Sequence, residues 1–121
     1  EDATEAALRR ALDIEPFRIA PALALARLEL KRGKLAEAAA LVDRMVKSDP
    51  GNADAVYLQG QVRLAQGDAT NAVVSLNQAY KLRPSLPTAV GLAQAHAAAG
   101  HMGEGRAVLE GFVAERPKDP P

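Results

Sequence analysis

The chain of 121 residues carries 15 basic and 15 acidic side chains, so its formal net charge is zero, and it contains no cysteine. This balance provides no overall positive field for nucleic acid or an anionic membrane, and the lack of cysteine excludes disulfides, thiolate metal sites and cysteine nucleophiles. Hydrophobic residues make up 48% of the chain but aromatic residues only 3%, so the core must form by close approach of helices rich in alanine and leucine, which are strong helix formers.

Three kinds of marker residue recur with one period. Prolines recur at intervals of 34, 34 and 33 residues, at Pro16, Pro50, Pro84 and Pro117. Glycines recur at intervals of 34 and 33, at Gly33, Gly67 and Gly100, and small residues do so at Ala38, Ala72 and Gly105. Periods of this size are typical of helical solenoids, in which each repeat is one helical hairpin.

The chain begins with a helix that has no partner before it. Residues 3–14 are predicted to be helical and to end before Pro16, because the residue that precedes a proline is disfavoured in the α conformation. Residues 19–50 form the first predicted repeat, with helix A at about 20–32, a turn at Gly33 and helix B at about 35–48. Apolar residues at helical spacing predict its core: Leu25, Leu28, Leu35, Ala38, Leu41, Val42 and Met45.

Residues 53–84 form the second predicted repeat. Asn52 or Asp54 is a candidate cap for its helix A, and Asp68 for its helix B. Gly60 lies inside helix A, where glycine costs about 1 kcal/mol relative to alanine. A neighbouring helix backbone is therefore expected to approach closely at this position.

Residues 85–117 form the third predicted repeat, which is one residue shorter. Because all markers from Gly100 onward share the shift, the deletion is placed at the start of helix A, near Ser85. Helix A is then expected at about 87–99 and helix B at about 103–115. The tail 118–121 is expected to be non-helical and frayed.

These repeats resemble the tetratricopeptide repeat family, whose repeat of about 34 residues has a glycine at its turn, small residues in both helices and a terminal proline. The matching residues are Ala26, Gly33, Ala38, Met45 and Pro50, then Gly60, Gly67, Ala72, Ala79 and Pro84, then Ala93, Gly100, Gly105, Phe112 and Pro117. The resemblance implies an all-α fold, a right-handed superhelix (α-solenoid) of antiparallel helix pairs. The chain departs from the family at its aromatic positions in helix A, which hold Ala22, Val56, Glu29, Arg63 and His96.

A narrower resemblance concerns the alanine-rich composition and the sequence VLEGFVAERP at residues 108–117. These are similar to long repeat lipoproteins of bacterial exopolysaccharide and protein-sorting systems, which implies a periplasmic scaffold. The residues themselves leave the bacterial periplasm or envelope and the cytoplasm both open. The acidic start at Glu1 and Asp2 has no signal-peptide character, so we expect the chain to be a segment of a larger protein.

The family resemblance also implies a concave groove lined by the A helices. Its positions here include the candidate binding residues Arg27, Lys31, Asp54, Tyr57, Gln61 and Gln94. Amides can bond a peptide backbone and Tyr57 is an amphipathic anchor, although the same side chains are equally compatible with an ordinary solvated surface. The family's clamp for a C-terminal carboxylate is not reproduced, because its positions hold Leu23, Arg27, Tyr57, Gln61 and Val90. The sequence therefore predicts against an adaptor for chaperone tails.

No group of residues predicts catalysis, a metal site or a cofactor. His96 and His101 are five residues apart with Gly100 between them, unlike an i, i+4 metal pair on one helix. His96 is interpreted as a packing residue and His101 as exposed. The carboxylate pairs Asp2/Glu5 and Glu110/Glu115 are interpreted as solvated faces. Short basic runs without interleaved aromatics exclude nucleic acid, and apolar runs well below about 20 residues exclude direct membrane insertion.

The sequence therefore predicts a non-enzymatic interaction or scaffold module that binds a protein or peptide segment in the concave groove. The alternative is a structural spacer within a longer solenoid, or a unit that associates with copies of itself through exposed apolar ends, because solenoid ends need polar capping to be soluble. The identity of the partner does not follow from the residues.

Overall fold

The computed structural model describes residues 3–16 and 18–115, which form seven α-helices and contain no strand. In chain order the helices are α1 (Ala3–Ile14), α2 (Ile19–Lys31), α3 (Leu35–Ser48), α4 (Ala53–Ala65), α5 (Ala69–Leu82), α6 (Leu86–Ala98) and α7 (Met102–Glu115). The all-α prediction is confirmed, and the helix boundaries given for the orphan helix and for the first and third repeats lie within one residue of those observed. The predicted tail 118–121 lies outside the described residues.

The three A helices, α2, α4 and α6, end in the same way. Each is followed by a glycine with a positive φ of 77°, 82° or 88°, at Gly33, Gly67 and Gly100. The residue after each glycine donates its backbone N–H to the carbonyl five residues earlier, over 2.8, 2.9 and 2.7 Å from Lys34, Asp68 and His101. This is the Schellman motif, which satisfies the last carbonyls of a helix and reverses the chain. The repeating glycine thus forms each helical hairpin.

Contacts between helices place the A helices on the inner face of the solenoid. Within the described part of the chain, α2 contacts α4 and α4 contacts α6, whereas the B helices α3, α5 and α7 contact only the helices adjacent to them in sequence. The A layer is therefore the more closely spaced one. A stack that is closely spaced on one side and open on the other curves towards the closely spaced side, so α2, α4 and α6 line the concave face.

The core lies between the two layers and consists mainly of small and aliphatic side chains. Among the predicted core residues of the first repeat, Leu25, Ala38, Val42 and Met45 are buried and the other three are partly buried. In the next repeat, the fully buried Leu76 of α5 bridges α4 and α6. A Cβ added at Gly60 would lie 2.4 Å from Leu76 Cγ, and one added at Gly91 would lie 3.2 Å from Leu76 Cδ2.

The prediction that a helix backbone approaches Gly60 is therefore wrong, because the Leu76 side chain occupies that space. A close backbone approach does occur in the third repeat. A Cβ added at Gly105 would lie only 2.8 Å from the backbone oxygen of Ala93. A glycine thus makes room for a leucine side chain at Gly60 and for the backbone of a neighbouring helix at Gly105.

Side-chain caps define the starts of three helices. Asn52 Oδ1 accepts from the Ala55 N–H over 3.0 Å, and Asp68 Oδ1 accepts from the Asn71 N–H over 3.3 Å. The hydrogen bonds from Asn71 lower the pKa of Asp68. Ser85 caps α6 in a capping box with Thr88. Residues 83–85 join α5 to α6, whereas residues 49–52 join α3 to α4, so the missing residue lies in the connection before Ser85, as predicted.

Glu5 is fully buried, which corrects its interpretation as part of a solvated face. Its carboxylate accepts hydrogen bonds from Arg9 over 3.1 Å, from Arg32 over 2.6 Å and from Lys34 over 3.0 Å. The hydrogen bond from Lys34, followed by those from the arginines, lowers the pKa of Glu5 despite the opposing effect of burial. Glu5 thus joins α1 to the turn between α2 and α3. Its predicted pair partner, Asp2, lies outside the described residues, and Glu110 and Glu115 are exposed as predicted.

Glu29 of α2 is also buried, but it is less well compensated. Its Oε2 accepts from Arg9 over 3.0 Å, whereas its Oε1 is buried without a hydrogen-bond partner. Burial raises the pKa of Glu29. The two buried acids, Glu5 on α1 and Glu29 on α2, therefore have pKa values shifted in opposite directions.

We expect replacement of these two acids to have opposite effects on stability. A lowered pKa stabilises the fold above the ordinary value of 4.5, and this contribution is lost as the pH falls through the lowered pKa. Glu5→Gln should therefore lower the urea midpoint at neutral pH and flatten its fall in acid. A raised pKa means that ionisation opposes folding, so Glu29→Gln should leave the neutral-pH midpoint equal or higher. Urea titrations of both variants at neutral pH and near pH 4 test this. An equal loss of stability in both variants at neutral pH would contradict it.

Candidate functional site

A concavity of about 320 Å³ lies on the inner face where α2, α4 and the start of α6 meet. Its lining combines Arg27 from α2, Asp54 and Tyr57 from α4, and residues of the α5–α6 connection and the first turn of α6, namely Arg83, Ser85, Pro87 and Thr88. Three of the six predicted binding residues are thus brought together from two successive repeats. The stacking of A helices accounts for this, since α2 packs directly beside α4.

Positively charged side chains outnumber negatively charged ones in this concavity. Arg83 Nη1 donates to Asp54 Oδ1 over 2.9 Å, and both side chains are at least half exposed. Such an exposed pair contributes only about 0–1 kcal/mol because water and salt screen it. Arg27 adds a second, exposed guanidinium. The lining therefore carries one more positive than negative charge, and guanidinium groups suit bidentate contacts with carboxylates.

Tyr57 and Gln61 continue the inner face beside this concavity. A Cβ added at Gly91 of α6 would lie 3.2 Å from Tyr57 Cε1 and 3.3 Å from Gln61 Nε2. Both side chains therefore lie over the glycine, and both are partly exposed. An aromatic ring and an amide are thus held side by side with solvent access.

The remaining predicted residues lie elsewhere on the surface. Gln94 borders a separate, mostly apolar concavity of about 340 Å³ between α6 and α7, whose other side includes Met102, Arg106 and Leu109. Lys31 is exposed at the last residue of α2. Three further residues of the inner helices, Leu23, Leu58 and Gly91, are buried and offer a partner no accessible side chain.

Sequence reasoning missed the contribution of the α5–α6 connection. Arg83, Ser85 and Thr88 belong to the end of one repeat and the start of the next, whereas the groove residues predicted from the sequence all lie within the A helices or at their ends. One signal was available: Ser85 lies 33 residues after Asn52, so both cap equivalent A helices. The pairing of Arg83 with Asp54 joins residues 29 apart and has no local signal.

The two histidines lie closer together than their spacing on one helix would allow. Ligand atoms of His96, His101 and Glu104 all lie within 4.8 Å of one another. His96 lies near the end of α6, and the turn at Gly100 carries His101 to the start of α7, with Glu104 in its first turn. The i, i+4 rule concerns two metal ligands on one helix. It therefore does not exclude a site whose ligands lie on either side of a turn. His96 is partly buried, and His101 is exposed as predicted.

In the described part of the chain, every helix falls short of the length and apolar character needed to cross a bilayer.

Comparisons with known proteins agree with this architecture. A family model described as tetratricopeptide repeat matches residues 23–87, and a second model of the same description matches residues 63–121. The solved structures of MamA AMB-1 and MamA MSR-1 superpose with TM-scores of 0.77 and 0.76 at 20% sequence identity, over 89% and 91% of this chain. This chain spans 64% of each of those chains, and at this identity the likeness concerns the fold.

A curated relative is the cellulose synthase operon protein C of Pseudomonas fluorescens (strain SBW25). It is 44% identical over 55 residues, which make up 46% of this chain but only 4% of the relative. Its name agrees with the narrower resemblance to repeat proteins of bacterial exopolysaccharide systems. The first family model covers more than half of the chain, and the helical hairpins have the turn, length and stacking of that family. The chain belongs to the tetratricopeptide repeat family.

Proposed function

We propose that this chain is a non-enzymatic segment of a bacterial scaffold, and that it binds an extended protein segment on the inner face formed by α2, α4 and α6. Tetratricopeptide repeats generally act as protein-interaction scaffolds. The cellulose synthase operon relative supports a role in the assembly of an exopolysaccharide system. The bound segment is expected to include an acidic side chain.

The concavity formed by α2, α4 and the start of α6 is the observation that supports this proposal. It places Arg27 near the Asp54–Arg83 pair and beside Tyr57, so a carboxylate and a neighbouring apolar group could be bound together. Gln61, next to Tyr57 over Gly91, adds an amide that can bond the backbone of an extended segment. Lys31, exposed at the end of α2, and Gln94, which borders the separate concavity between α6 and α7, are proposed as additional contacts for the same segment.

Photo-crosslinking in the native host tests the groove. A photoreactive phenylalanine analogue at Tyr57 should trap a specific partner, whereas the same analogue at Gln78, which is exposed on the outer helix α5, should not. Combined replacement of Arg27 and Gln61 by alanine should reduce the crosslink at position 57 at least about tenfold, which corresponds to about 1.4 kcal/mol of binding free energy. Replacement of the exposed Gln78 and Lys81 by alanine is the matched control.

Retention of the crosslinked partner in the Arg27/Gln61 variant, with full yield, would contradict the groove proposal. It would favour the alternative, a structural spacer within a longer solenoid or a self-associating unit. The apolar surface of the last hairpin supports that alternative, because Met102 is 69% exposed and Val113 is 68% exposed. A third analogue at Val113 distinguishes the two functions, since a spacer should crosslink there to repeat sequence or to a second copy.

A further inference from the structure

We propose that His96, His101 and Glu104 form a binding site for a divalent transition-metal ion, with Zn²⁺ as the preferred ion, at the turn between α6 and α7. The three ligand atoms lie within 4.8 Å of one another and come from both helices of the hairpin. Imidazole and carboxylate groups are ordinary zinc ligands. The proposal is independent of groove binding on the inner face.

Comparison of the three repeats shows what is unusual about this turn. The positions equivalent to His96, His101 and Glu104 are Arg63, Asp68 and Asn71 in the second repeat and Glu29, Lys34 and Glu37 in the first. In each earlier repeat, one of these positions holds an arginine or lysine that donates to acidic or polar groups, Lys34 to Glu5 and Arg63 to Asn71 and Ser75. The third repeat has two imidazoles and a carboxylate instead. A bound metal ion would supply the positive charge that arginine or lysine supplies in the others.

Hydrogen bonding at these positions also differs between the second and the third repeat. Arg63 donates to the Ser75 hydroxyl and to the Asn71 carbonyl over 3.2 Å, and Asn71 Nδ2 donates to Asp68 Oδ2 over 2.7 Å. The polar groups of the second turn are therefore satisfied by one another. In the third turn, His96 Nδ1 is buried and has no hydrogen-bond partner. A buried nitrogen that makes no hydrogen bond is costly unless it binds something else.

The distances suit a tetrahedral ion. His96 Nδ1 lies 3.5 Å from Glu104 Oε2. Two ligands that each lie about 2.0–2.1 Å from zinc with tetrahedral angles are about 3.4 Å apart. His101 and Glu104 are exposed, so their side chains can rotate to bring their ligand atoms to the separation that zinc requires without disturbing the core. Three protein ligands leave a fourth position for water or for a group of a partner.

Isothermal titration of the tag-free chain with zinc chloride tests the site directly. The chain has only two histidines and no cysteine, so any imidazole-bound zinc must involve His96 or His101. We expect one equivalent of Zn²⁺ to bind, and Co²⁺ to give the visible absorption of a low-symmetry four-coordinate site. His101→Ala and Glu104→Gln should each weaken zinc binding by about tenfold or more. Loss of a residue that only hydrogen-bonds to a metal ligand already has an effect of this size, and loss of the ligand itself should have at least the same effect.

The exposed Glu110→Gln on the same helix is the matched control and should leave zinc binding unchanged. Because His101 and Glu104 are exposed, their variants should retain the helical circular dichroism of the parent, which separates loss of binding from loss of folding. NMR signals of both imidazoles should shift when one equivalent of zinc is added. Absence of one-equivalent binding, or binding that His101→Ala leaves intact, would overturn the proposal.

Discussion

Replacement of Leu76 by alanine should destabilise the fold by about 2–5 kcal/mol, the range for large-to-small changes of a fully buried leucine. Leu76 lies on α5 and is fully buried. Its side chain fills the space left by the absent side chains of Gly60 on α4 and Gly91 on α6. The loss should be large because one side chain serves two interfaces, and repeat arrays depend on contacts between neighbouring units.

Gly60→Ala provides the sharper test of the same contact. In the parent chain the new methyl group would lie 2.4 Å from Leu76 Cγ, and overpacking of this kind costs about 1–3 kcal/mol, which should exceed the gain of about 1 kcal/mol in helix propensity. In the Leu76→Ala background the obstacle is gone, and the same methyl group partly fills the cavity. Gly60→Ala should therefore change sign, from destabilising to stabilising.

Urea unfolding followed by circular dichroism, carried out on the parent, both single variants and the double variant, measures this coupling. The double-variant cycle should give an interaction free energy of about 1–3 kcal/mol, because the two residues are in direct contact. Additive effects of the two substitutions would show that Leu76 does not occupy the space beside Gly60.

The regular part of the fold follows from local signals in the sequence. Gly33, Gly67 and Gly100 have the positive φ that ends each A helix, and a proline follows each complete B helix or the orphan helix. These residues act through the backbone of their own segment. Their spacing was therefore sufficient to predict seven helices, and the boundaries of five of them to within one residue, without knowledge of the packing.

The contacts that distinguish one repeat from another could not be predicted in this way. Glu5 is buried because Arg32 and Lys34, 27 and 29 residues later, converge on it at the next turn. No short-range pattern of charges indicates these contacts. The sequence therefore predicted that Glu5, an acidic residue on the terminal helix, is exposed to solvent. The same limit applies to His96 and His101, whose proximity depends on the path of the turn between two helices.

The candidate groove shows an intermediate case. Arg27, Asp54 and Tyr57 share one concavity, because α2 and α4 pack side by side when repeats stack. Gln94 borders another, because its surroundings depend on how closely α7 approaches α6. The periodicity predicts which helices pack side by side. The distance between them depends on the volumes of the side chains that meet at the interface, and these contacts cannot be predicted from one sequence.

Gly105→Ala should destabilise the chain, although the equivalent positions of the other repeats hold alanine. Ala38 and Ala72 are fully buried there without difficulty. At Gly105, however, an added Cβ would lie 2.8 Å from the backbone oxygen of Ala93. A backbone atom within α6 cannot rotate away as a side chain can, so α6 and α7 would have to separate. We expect a net loss of about 1–2 kcal/mol after the gain in helix propensity.

Gly111→Ala on the same helix is the matched control, because a Cβ added there meets no heavy atom within 4 Å. It should stabilise the chain by about 0.5–1 kcal/mol through helix propensity alone. Thermal and urea unfolding of the two variants should therefore differ in sign. Equal stabilisation by both would show that α6 and α7 are no closer than the other hairpins. Separation of the helices by Gly105→Ala should also move Glu104 away from His96 and weaken zinc binding, whereas Gly111→Ala should leave the metal site intact.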